Sequence, residues 1–292
     1  MTSKPGGTAV PRSYLYVPGD QPRMLARALD RGADAVIVDL EDAVAPAAKV
    51  PARAAVAEWL RSLAPRPDVE VWVRLNSGPA GLDDAAAVVW PGLAGVMPAK
   101  TQSAAELVAL DAALRDAEAG AGLATGQVAV IPILESAAAV LDASGVARAP
   151  RVQRLQVGEA DLRADIGLPA GDGEPELLHV RSHVVLVSAA CRLVPPIGPV
   201  STDFRDLAGF RTSTRALARL GFVGRACIHP AQVAVANDVF TPAPDEIDRA
   251  RALVARFEQA AAAGDAVLLD DDGRMVDEAV IRQARGLLAR AR

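Results

Sequence analysis

Short apolar runs alternate along the chain with longer segments that are apolar on one face only. Eight of these runs end at a turn or a polar residue, and we predict a strand for each: residues 13–17, 35–40, 69–75, 93–97, 128–134, 154–157, 193–200 and 225–228. Their nearly continuous apolar character is typical of strands that are buried on both faces of a parallel sheet. A helical pattern follows each strand, so the repeating unit is a strand and then a helix.

Eight such units within residues 1–240 predict an α/β fold, a (β/α)8 TIM barrel that forms the catalytic domain. The chain has no G-x-G-x-x-G or Walker A sequence, which argues against a dinucleotide or nucleoside triphosphate as ligand. Residues 241–292 exceed what the barrel needs. We predict that they form a C-terminal helical extension or lid, with a short strand and turn in residues 263–277, and that this extension contacts a neighbouring subunit.

Composition narrows the classes of function. Of the 292 residues, 51% are hydrophobic, which is enough for a large core, and the net charge of −5 gives no support to nucleic-acid binding. The two cysteines, Cys191 and Cys227, form no metal-binding or disulfide pattern and favour a reducing, cytoplasmic location. We expect no membrane association, because the chain lacks a signal-peptide core and an apolar stretch of roughly 18–20 residues.

Polar residues follow the predicted strands at their carboxyl ends, where TIM barrels hold their catalytic groups. They are Asp39, Glu41, Asp42, Arg74, Asn76, Lys100, Glu135, Glu159, Asp161, Thr202, Asp203 and His229. Several carboxylates without clustered histidines or cysteines suit a hard cation such as Mg²⁺ or Mn²⁺. An arginine in the same set suits a carboxylate or an enolate oxygen.

Each of these residues also has a purely structural interpretation, which the sequence leaves open. Glu135 and Asp161 each follow a predicted strand, at a position where the N-cap of the next helix is common. Adjacent strands would bring the two carboxylates close together, and two such carboxylates repel one another unless a cation or a proton lies between them. Arg74 would form a salt bridge with the acids that follow the second strand. Lys100 is either a Schiff-base nucleophile or a protonated partner of those acids, and we favour the partner because carboxylates raise the pKa of a lysine.

The remaining candidates are expected to be structural. His179 and His183 are four residues apart on one helix without a third ligand nearby, and His229 precedes a proline at a strand end. Residues 270–272 are three aspartates that lack the rest of a calcium-binding loop, and we predict a polar turn there.

Six motifs occur in order along the chain. They are residues 12–19 (RSYLYVPG), 35–44 (AVIVDLEDAV), 71–76 (VWVRLN), 132–136 (PILES), 158–167 (GEADLRADIG) and 221–233 (GFVGRACIHPAQV). Together they resemble the citrate lyase β-subunit-like family of the HpcH/HpaI aldolase superfamily, which includes stand-alone malyl-CoA and citramalyl-CoA lyases. The resemblance covers nearly the whole chain and is more specific for the family than for a substrate.

The resemblance implies a TIM barrel that assembles into homotrimers or hexamers and a Mg²⁺ cofactor. By motif match, Glu135 and Asp161 would bind Mg²⁺ and substrate, and Arg74 would contact the substrate and its enolate. Asp277, in the stretch GRMVDEAVIRQA, would reach the active site of a neighbouring subunit for acid–base chemistry. A further set would support the site without binding the metal: Asp39, Glu41, Asp42 and Lys100. The chain departs from the family pattern at Ala160, at Ala279 and around Lys100.

The expected function is a Mg²⁺-dependent carbon–carbon lyase that cleaves or forms a malyl-, citramalyl- or citryl-type thioester, with acetyl-CoA and a 2-oxo acid as the other reactants. Its partners would be these small molecules and further copies of the chain. Four alternatives remain at this point: a thioesterase on the same site, a citryl-carrier-protein lyase subunit, a Schiff-base aldolase that uses Lys100, and a non-catalytic barrel.

Overall fold

Parallel strands form the centre of the protein, as the apolar runs predict. The computed structural model describes residues 10–64, 68–169, 175–264, 267–270 and 272–291. The strands are β1 (Ser13–Pro18), β2 (Ala35–Asp39), β3 (Glu70–Leu75), β4 (Leu93–Pro98), β5 (Ala129–Val130), β6 (Ile133–Leu134), β7 (Gln156–Val157), β8 (Arg225–Cys227), β9 (Leu268–Leu269) and β10 (Met275–Val276).

Strands β1 to β8 and the segment around Ile197 follow one another around a ring, in which β5 and β6 together occupy one place. Six of them form a parallel sheet in the order β5-β4-β3-β2-β1-β8, and β6 pairs with β7, also in parallel. Isolated parallel bridges link the remaining neighbours: Val130 with Val152, Gln156 with Ile197, and Gly198 with Arg225. The protein therefore has the predicted α/β fold, a (β/α)8 barrel whose strands all point in one direction.

Prolines explain where the strands differ from the prediction. The predicted fifth strand is divided into β5 and β6 around Pro132, which has no N–H to donate to a ladder. The predicted seventh strand, residues 193–200, is not a regular strand, because it contains Pro195, Pro196 and Pro199. Only its central residues, Ile197 and Gly198, form bridges to neighbouring strands.

Helices follow the strands and connect each one to the next. They are α1 (Pro22–Leu25), α2 (Lys49–Ser62), α3 (Gly78–Val88), α4 (Ala104–Gly120), α5 (Ala137–Leu141), α6 (Ala143–Ala147), α7 (Glu159–Asp165), α8 (Leu178–Ala190), α9 (Leu207–Leu220), α10 (Pro230–Phe240), α11 (Pro244–Ala262) and α12 (Glu278–Leu288). None of the described helices is long and apolar enough to cross a membrane.

The interior of the barrel is packed with side chains and is not a channel. Its buried cluster consists of Tyr14, Ala35, Ile37, Trp72, Met97, Ile131, Ile133, Ile197 and Ala226. These residues come from six strands, from Ile131 between β5 and β6, and from the bridged segment at Ile197. This is the layered filling typical of a TIM barrel. The polar residues of the strand ends lie above this filling.

The chain divides into two compact units, one of residues 11–238 and one that contains residues 239–291. The second unit contains α11, the antiparallel hairpin of β9 and β10, and α12. Its own small core is formed by Phe257, Val276 and Ile281. The hairpin turn includes Asp270, whose Oδ1 accepts hydrogen bonds from the backbone N–H groups of Asp272 and Arg274, whereas Asp271 lies outside the described residues.

Candidate active site

Arg74 is held rigidly at the carboxyl end of β3. It donates from Nε to Asp39 Oδ1 at 2.7 Å and from Nη2 to Asp39 Oδ2 at 2.5 Å, a bidentate pair. Its Nη1 lies 3.1 Å from Glu41 Oε2, and the guanidinium stacks over the ring of Tyr16 at 5.3 Å. Asp39 is itself fixed, because it accepts hydrogen bonds from the backbone N–H groups of Glu41 and Ala43.

Lys100 belongs to the same charged cluster. Its Nζ lies 2.6 Å from Glu41 Oε1 and 3.2 Å from Asp42 Oδ1. The hydrogen bond to Glu41 raises the pKa of Lys100 above its ordinary value, so this amine is charged at neutral pH. A charged lysine cannot attack a carbonyl carbon, and the geometry therefore disfavours the Schiff-base alternative.

Glu135 is a buried carboxylate without an ion-pair partner among the described residues. It follows β6, is only 5% exposed, and its Oε2 has no hydrogen-bond partner among the described residues. Burial, together with the negative charge of Asp161, raises the pKa of Glu135 from 4.5 to about 8. The N-cap of the following helix is Ser136, whose Oγ accepts from the Ala139 N–H, so capping does not explain Glu135.

Asp161 is the third residue of α7 and faces Glu135 across the end of the barrel. It is half-buried, and no donor among the described residues hydrogen-bonds to it. The N-cap of α7 is Gly158, so Asp161 is not a cap either. Only glycine fits at position 158, because a Cβ there would lie 2.4 Å from Glu135 Cγ.

An ion pair anchors α7 to the neighbouring helix. Glu159 is buried and accepts two hydrogen bonds of 2.7 Å from Arg181 of α8, one on each carboxylate oxygen. The charge of Glu159 is therefore already compensated by Arg181. Its role is to fix the start of the short helix that carries Asp161.

These groups surround a cavity of about 400 Å³ at the carboxyl end of the barrel. Its polar lining consists of Tyr16, Asp39, Asp42, Arg74, Glu135, Gln156, Glu159 and Asp161. Apolar side chains complete the wall: Pro18, Ile133, Val157, Val200 and Ile228. An apolar wall with a few convergent polar groups is the usual character of a small-molecule site.

The residues at the cavity fit a hard divalent cation. The described residues contain no group of three or more His, Cys, Asp or Glu side chains placed to hold a metal, so the candidate ligands are the two carboxylates of Glu135 and Asp161. Mg²⁺ is commonly held by one or two carboxylates, with water and substrate oxygens in its other positions. The orphaned Oε2 of Glu135 and its raised pKa fit a site where a cation would lie between these two carboxylates.

Several sequence candidates do not line the cavity. Asn76 is buried and binds Asp84 Oδ2 through both its backbone and its side chain. His229 accepts from the Ala231 N–H and stacks on Phe204. His183 contacts the Val140 carbonyl. The other candidates outside the cavity are Thr202, Asp203 and His179, which are exposed, and Cys191 and Cys227, which are free thiols.

Asp277 lies in the second unit as the N-cap of α12. Its Oδ1 accepts from the backbone N–H groups of Ala279 and Val280 at 2.9 and 3.1 Å. The cap needs only one of the two carboxylate oxygens, and the side chain is half-buried. The structure of one chain therefore assigns Asp277 a capping role and leaves its second oxygen available.

Two polar residues that line the cavity, Tyr16 and Gln156, are not among the candidates that the strand ends suggest. Both lie inside the predicted strands, at residues 13–17 and 154–157, and not at a strand end. The feature of the sequence that could identify them is a polar side chain at a strand position that faces the interior. Gly158 was also overlooked as a necessary small residue beside Glu135.

The chain is similar to known proteins over most of its length. Residues 12–230 match the family model described as HpcH/HpaI aldolase/citrate lyase. The chain is 34% identical to the L-malyl-CoA/beta-methylmalyl-CoA lyase of Cereibacter sphaeroides, over 96% of this chain and 94% of that protein. It is 31% identical to the citrate lyase subunit beta of Leuconostoc mesenteroides subsp. cremoris, over 95% and 92% of the two chains.

A solved structure is similar over almost the same length. The crystal structure of CitE from Mycobacterium tuberculosis in complex with magnesium, acetoacetate and coenzyme A has a TM-score of 0.78 and 29% identity, and covers 97% of this chain and 98% of that chain. The fold, the order of the motifs and the full-length similarity lead to one conclusion. The chain belongs to the HpcH/HpaI aldolase/citrate lyase family.

Proposed function

We propose that this protein is a Mg²⁺-dependent carbon–carbon lyase that acts on a β-hydroxyacyl-CoA thioester and interconverts it with acetyl-CoA and a 2-oxo acid. The observation that carries the proposal is the uncompensated carboxylate of Glu135 beside Asp161, in a cavity that also contains the fixed guanidinium of Arg74. The names of the relatives, malyl-CoA lyase and citrate lyase subunit beta, support the reaction class. The magnesium, acetoacetate and coenzyme A bound to CitE support the ligands.

Glu135 and Asp161 would hold the metal. When bound, Mg²⁺ supplies a positive charge that lowers the energy of an oxygen anion during bond cleavage. The two carboxylates would balance that charge, and the buried position of Glu135 would keep water from weakening the interaction. Gly158 keeps the space beside Glu135 free of a side chain.

Arg74 would stabilise the enolate of the thioester. Its orientation is set by the bidentate contact with Asp39, so its position is preorganised and costs no rearrangement when charge develops. Glu41 and Asp42 lie between Arg74 and Lys100 and neutralise both cations. We therefore expect these side chains to orient and neutralise the site without contacting the reacting atoms: Asp39, Glu41, Asp42 and Lys100.

Asp277 would be the acid–base group, acting in the cavity of a neighbouring copy in a homotrimer. Cleavage releases the proton of the β-hydroxyl group to solvent and transfers the electron pair of the C–C bond to the thioester, and the enolate carbon must then gain a proton. An aspartic acid supplies it in cleavage, and the aspartate removes it in synthesis.

The free thiols Cys191 and Cys227 are consistent with a cytoplasmic enzyme.

A small panel of thioesters tests the proposal. Malyl-CoA, citramalyl-CoA and citryl-CoA are incubated with the protein, with Mg²⁺ or with EDTA, and 2-oxo acid, acetyl-CoA and free CoA are measured separately. We expect Mg²⁺-dependent, equimolar release of a 2-oxo acid and acetyl-CoA from at least one substrate. Free CoA with an intact hydroxy acid would instead assign thioester hydrolysis, and EDTA-resistant turnover would contradict the metal site.

A further inference from the structure

The helix that carries Asp161 is short and depends on contacts with the rest of the barrel. Helix α7 has only 7 residues, Glu159–Asp165, and the stability of so short a helix comes mostly from its tertiary contacts. Leu162 is buried beneath it. Its first residue, Glu159, is held by the ion pair with Arg181. The position of Asp161 therefore also depends on what fixes the other end of α7.

Asp165, the last residue of α7, connects this helix to the segment that follows Glu135. Its Oδ2 accepts a hydrogen bond of 2.8 Å from the backbone N–H of Ala137. Ala137 stands two positions after Glu135 and is the first residue of α5, where N–H groups have no partner within the helix. The N-cap Ser136 accepts from the Ala139 N–H, so Asp165 is the acceptor for the Ala137 N–H.

The two segments that carry the candidate metal ligands are joined on both sides of those ligands. The Gly158 N–H donates to the Leu134 carbonyl at 3.0 Å, and each of these residues precedes a ligand. The hydrogen bond between Ala137 and Asp165 follows the ligand in each segment. Asp165 is four residues after Asp161, so both side chains lie on the same face of α7. The second hydrogen bond therefore holds the face of the helix that carries the ligand.

A shift of α7 would change the distance between the two carboxylates. The helix begins in contact with Glu135, since a Cβ at Gly158 would lie 2.4 Å from Glu135 Cγ. Mg²⁺ requires nearly octahedral coordination at about 2.0–2.1 Å, whereas Ca²⁺ accepts about 2.3–2.6 Å and a flexible geometry. Two protein ligands at a fixed separation therefore favour the smaller ion.

We propose that Asp165 is a positioning residue: its hydrogen bond to Ala137 fixes the separation of the Glu135 and Asp161 carboxylates and makes the site selective for Mg²⁺ over larger divalent cations. This inference rests on the proposed lyase function and names a determinant of its metal. Asp165 is exposed and is not among the residues that line the cavity, so it acts through the two ligands and not on the substrate.

A carboxylate that only completed the hydrogen bonds of a helix end would affect stability and leave metal selectivity unchanged. The chain offers a matched example in Asp206, the N-cap of α9. It is also exposed, and its Oδ1 accepts from the Gly209 N–H at 2.9 Å. Asp206 does not line the cavity, so its replacement removes the same charge and the same kind of hydrogen bond away from the proposed ligands.

The test measures metal binding without substrate or turnover. Mn²⁺ is titrated into metal-free protein, and the electron paramagnetic resonance signal of free Mn²⁺ gives its Kd. Displacement of Mn²⁺ by Mg²⁺ or by Ca²⁺ gives the Kd of each competing ion. The proteins are wild type, Asp165→Ala, Asp165→Asn and Asp206→Ala, and the unfolding midpoint of each metal-free protein is measured in parallel. Asparagine keeps an acceptor oxygen for the Ala137 N–H but loses the charge.

We expect wild type to prefer Mg²⁺ over Ca²⁺, and Asp165→Ala to bind Mg²⁺ about tenfold more weakly, as is typical when a group that orients a metal ligand is removed. Its affinity for Ca²⁺ should change much less. Asp165→Asn should keep the wild-type preference. Asp206→Ala should keep it too, although its unfolding midpoint should fall.

Three results would overturn the inference and leave the lyase proposal standing. They are equal affinity of wild type for Mg²⁺ and Ca²⁺, an unchanged ratio of the two constants in Asp165→Ala, and a loss of preference in Asp165→Asn equal to that in Asp165→Ala, which would assign the effect to charge. If wild type binds none of the three ions, the metal site and the lyase proposal fail, and the inference fails with them.

Discussion

Replacing Glu135 by glutamine tests the argument for the cation site in the absence of any substrate. The change keeps the shape of the side chain and removes its ability to ionise. In the metal-free protein, burial and the charge of Asp161 raise the pKa of Glu135 to about 8, compared with an ordinary value of 4.5. The folded state therefore binds more protons than the unfolded state between about pH 4.5 and 8, and its stability falls as the pH rises through this window.

The size of the effect follows from the difference between the two pKa values. One pKa unit corresponds to about 1.4 kcal/mol, so the ionised carboxylate destabilises the metal-free fold by roughly 3–5 kcal/mol above pH 8. At pH 5 the carboxyl group is protonated in the folded protein and the penalty is nearly absent. The Glu135→Gln protein should therefore match wild type at pH 5 and be more stable at pH 9, by roughly 2–4 kcal/mol.

Urea unfolding in EDTA at pH 5, 7 and 9 measures the free energy of unfolding of both proteins. The matched control is Glu118→Gln, because Glu118 is another buried glutamate with the opposite environment. Burial alone would raise the pKa of Glu118, but hydrogen bonds from Arg151 and from the N–H groups of Val128 and Gly126 outweigh it and lower that pKa. Glu118→Gln should therefore destabilise the fold at pH 7 and 9.

Addition of Mg²⁺ completes the test. Excess Mg²⁺ at pH 9 should stabilise wild type and leave Glu135→Gln unchanged. If Glu135→Gln is less stable than wild type at pH 9 in EDTA, the carboxylate is compensated within the protein, and the argument for a cation at this position is refuted.

Three other predictions concern the reaction. Asp161→Asn should abolish Mg²⁺-dependent turnover with an unchanged far-UV circular dichroism spectrum, and retained activity would exclude Asp161 from the metal site. Arg74→Lys keeps the charge but loses the bidentate contact with Asp39, so kcat should fall by about 10²–10³-fold with Mg²⁺ affinity preserved; an equal loss of Mg²⁺ affinity would assign Arg74 to the metal site instead. Asp277→Ala and Asp161→Asn proteins, each inactive alone, should recover part of the activity when mixed, and no recovery after confirmed subunit exchange would contradict a site shared between copies.

Local patterns in the sequence were sufficient to predict the fold. Strands buried on both faces, such as β2 with its five buried residues, need long apolar runs, and the helix after each strand makes a parallel barrel the natural arrangement. The exact limits of the predicted fifth and seventh strands depended on prolines. The missing N–H group of a proline interrupts a strand only where the neighbouring strand needs that hydrogen bond, and this requires the tertiary structure. Pro132, Pro195 and Pro196 stand in apolar runs, so the pattern alone overestimated the regular strand.

The sequence by itself also determined which residues stand at the strand ends, because a strand that stops and the polar residue after it are adjacent in the chain. Only the tertiary structure decided what those residues do. Glu135 and Asp161, 26 positions apart in sequence, became an unpaired carboxylate pair, whereas Glu159, two positions from Asp161, was neutralised by Arg181. The physical reason is that charge compensation, burial and an unsatisfied atom such as Gln156 Oε1 depend on neighbours from other strands and helices, which no local pattern contains.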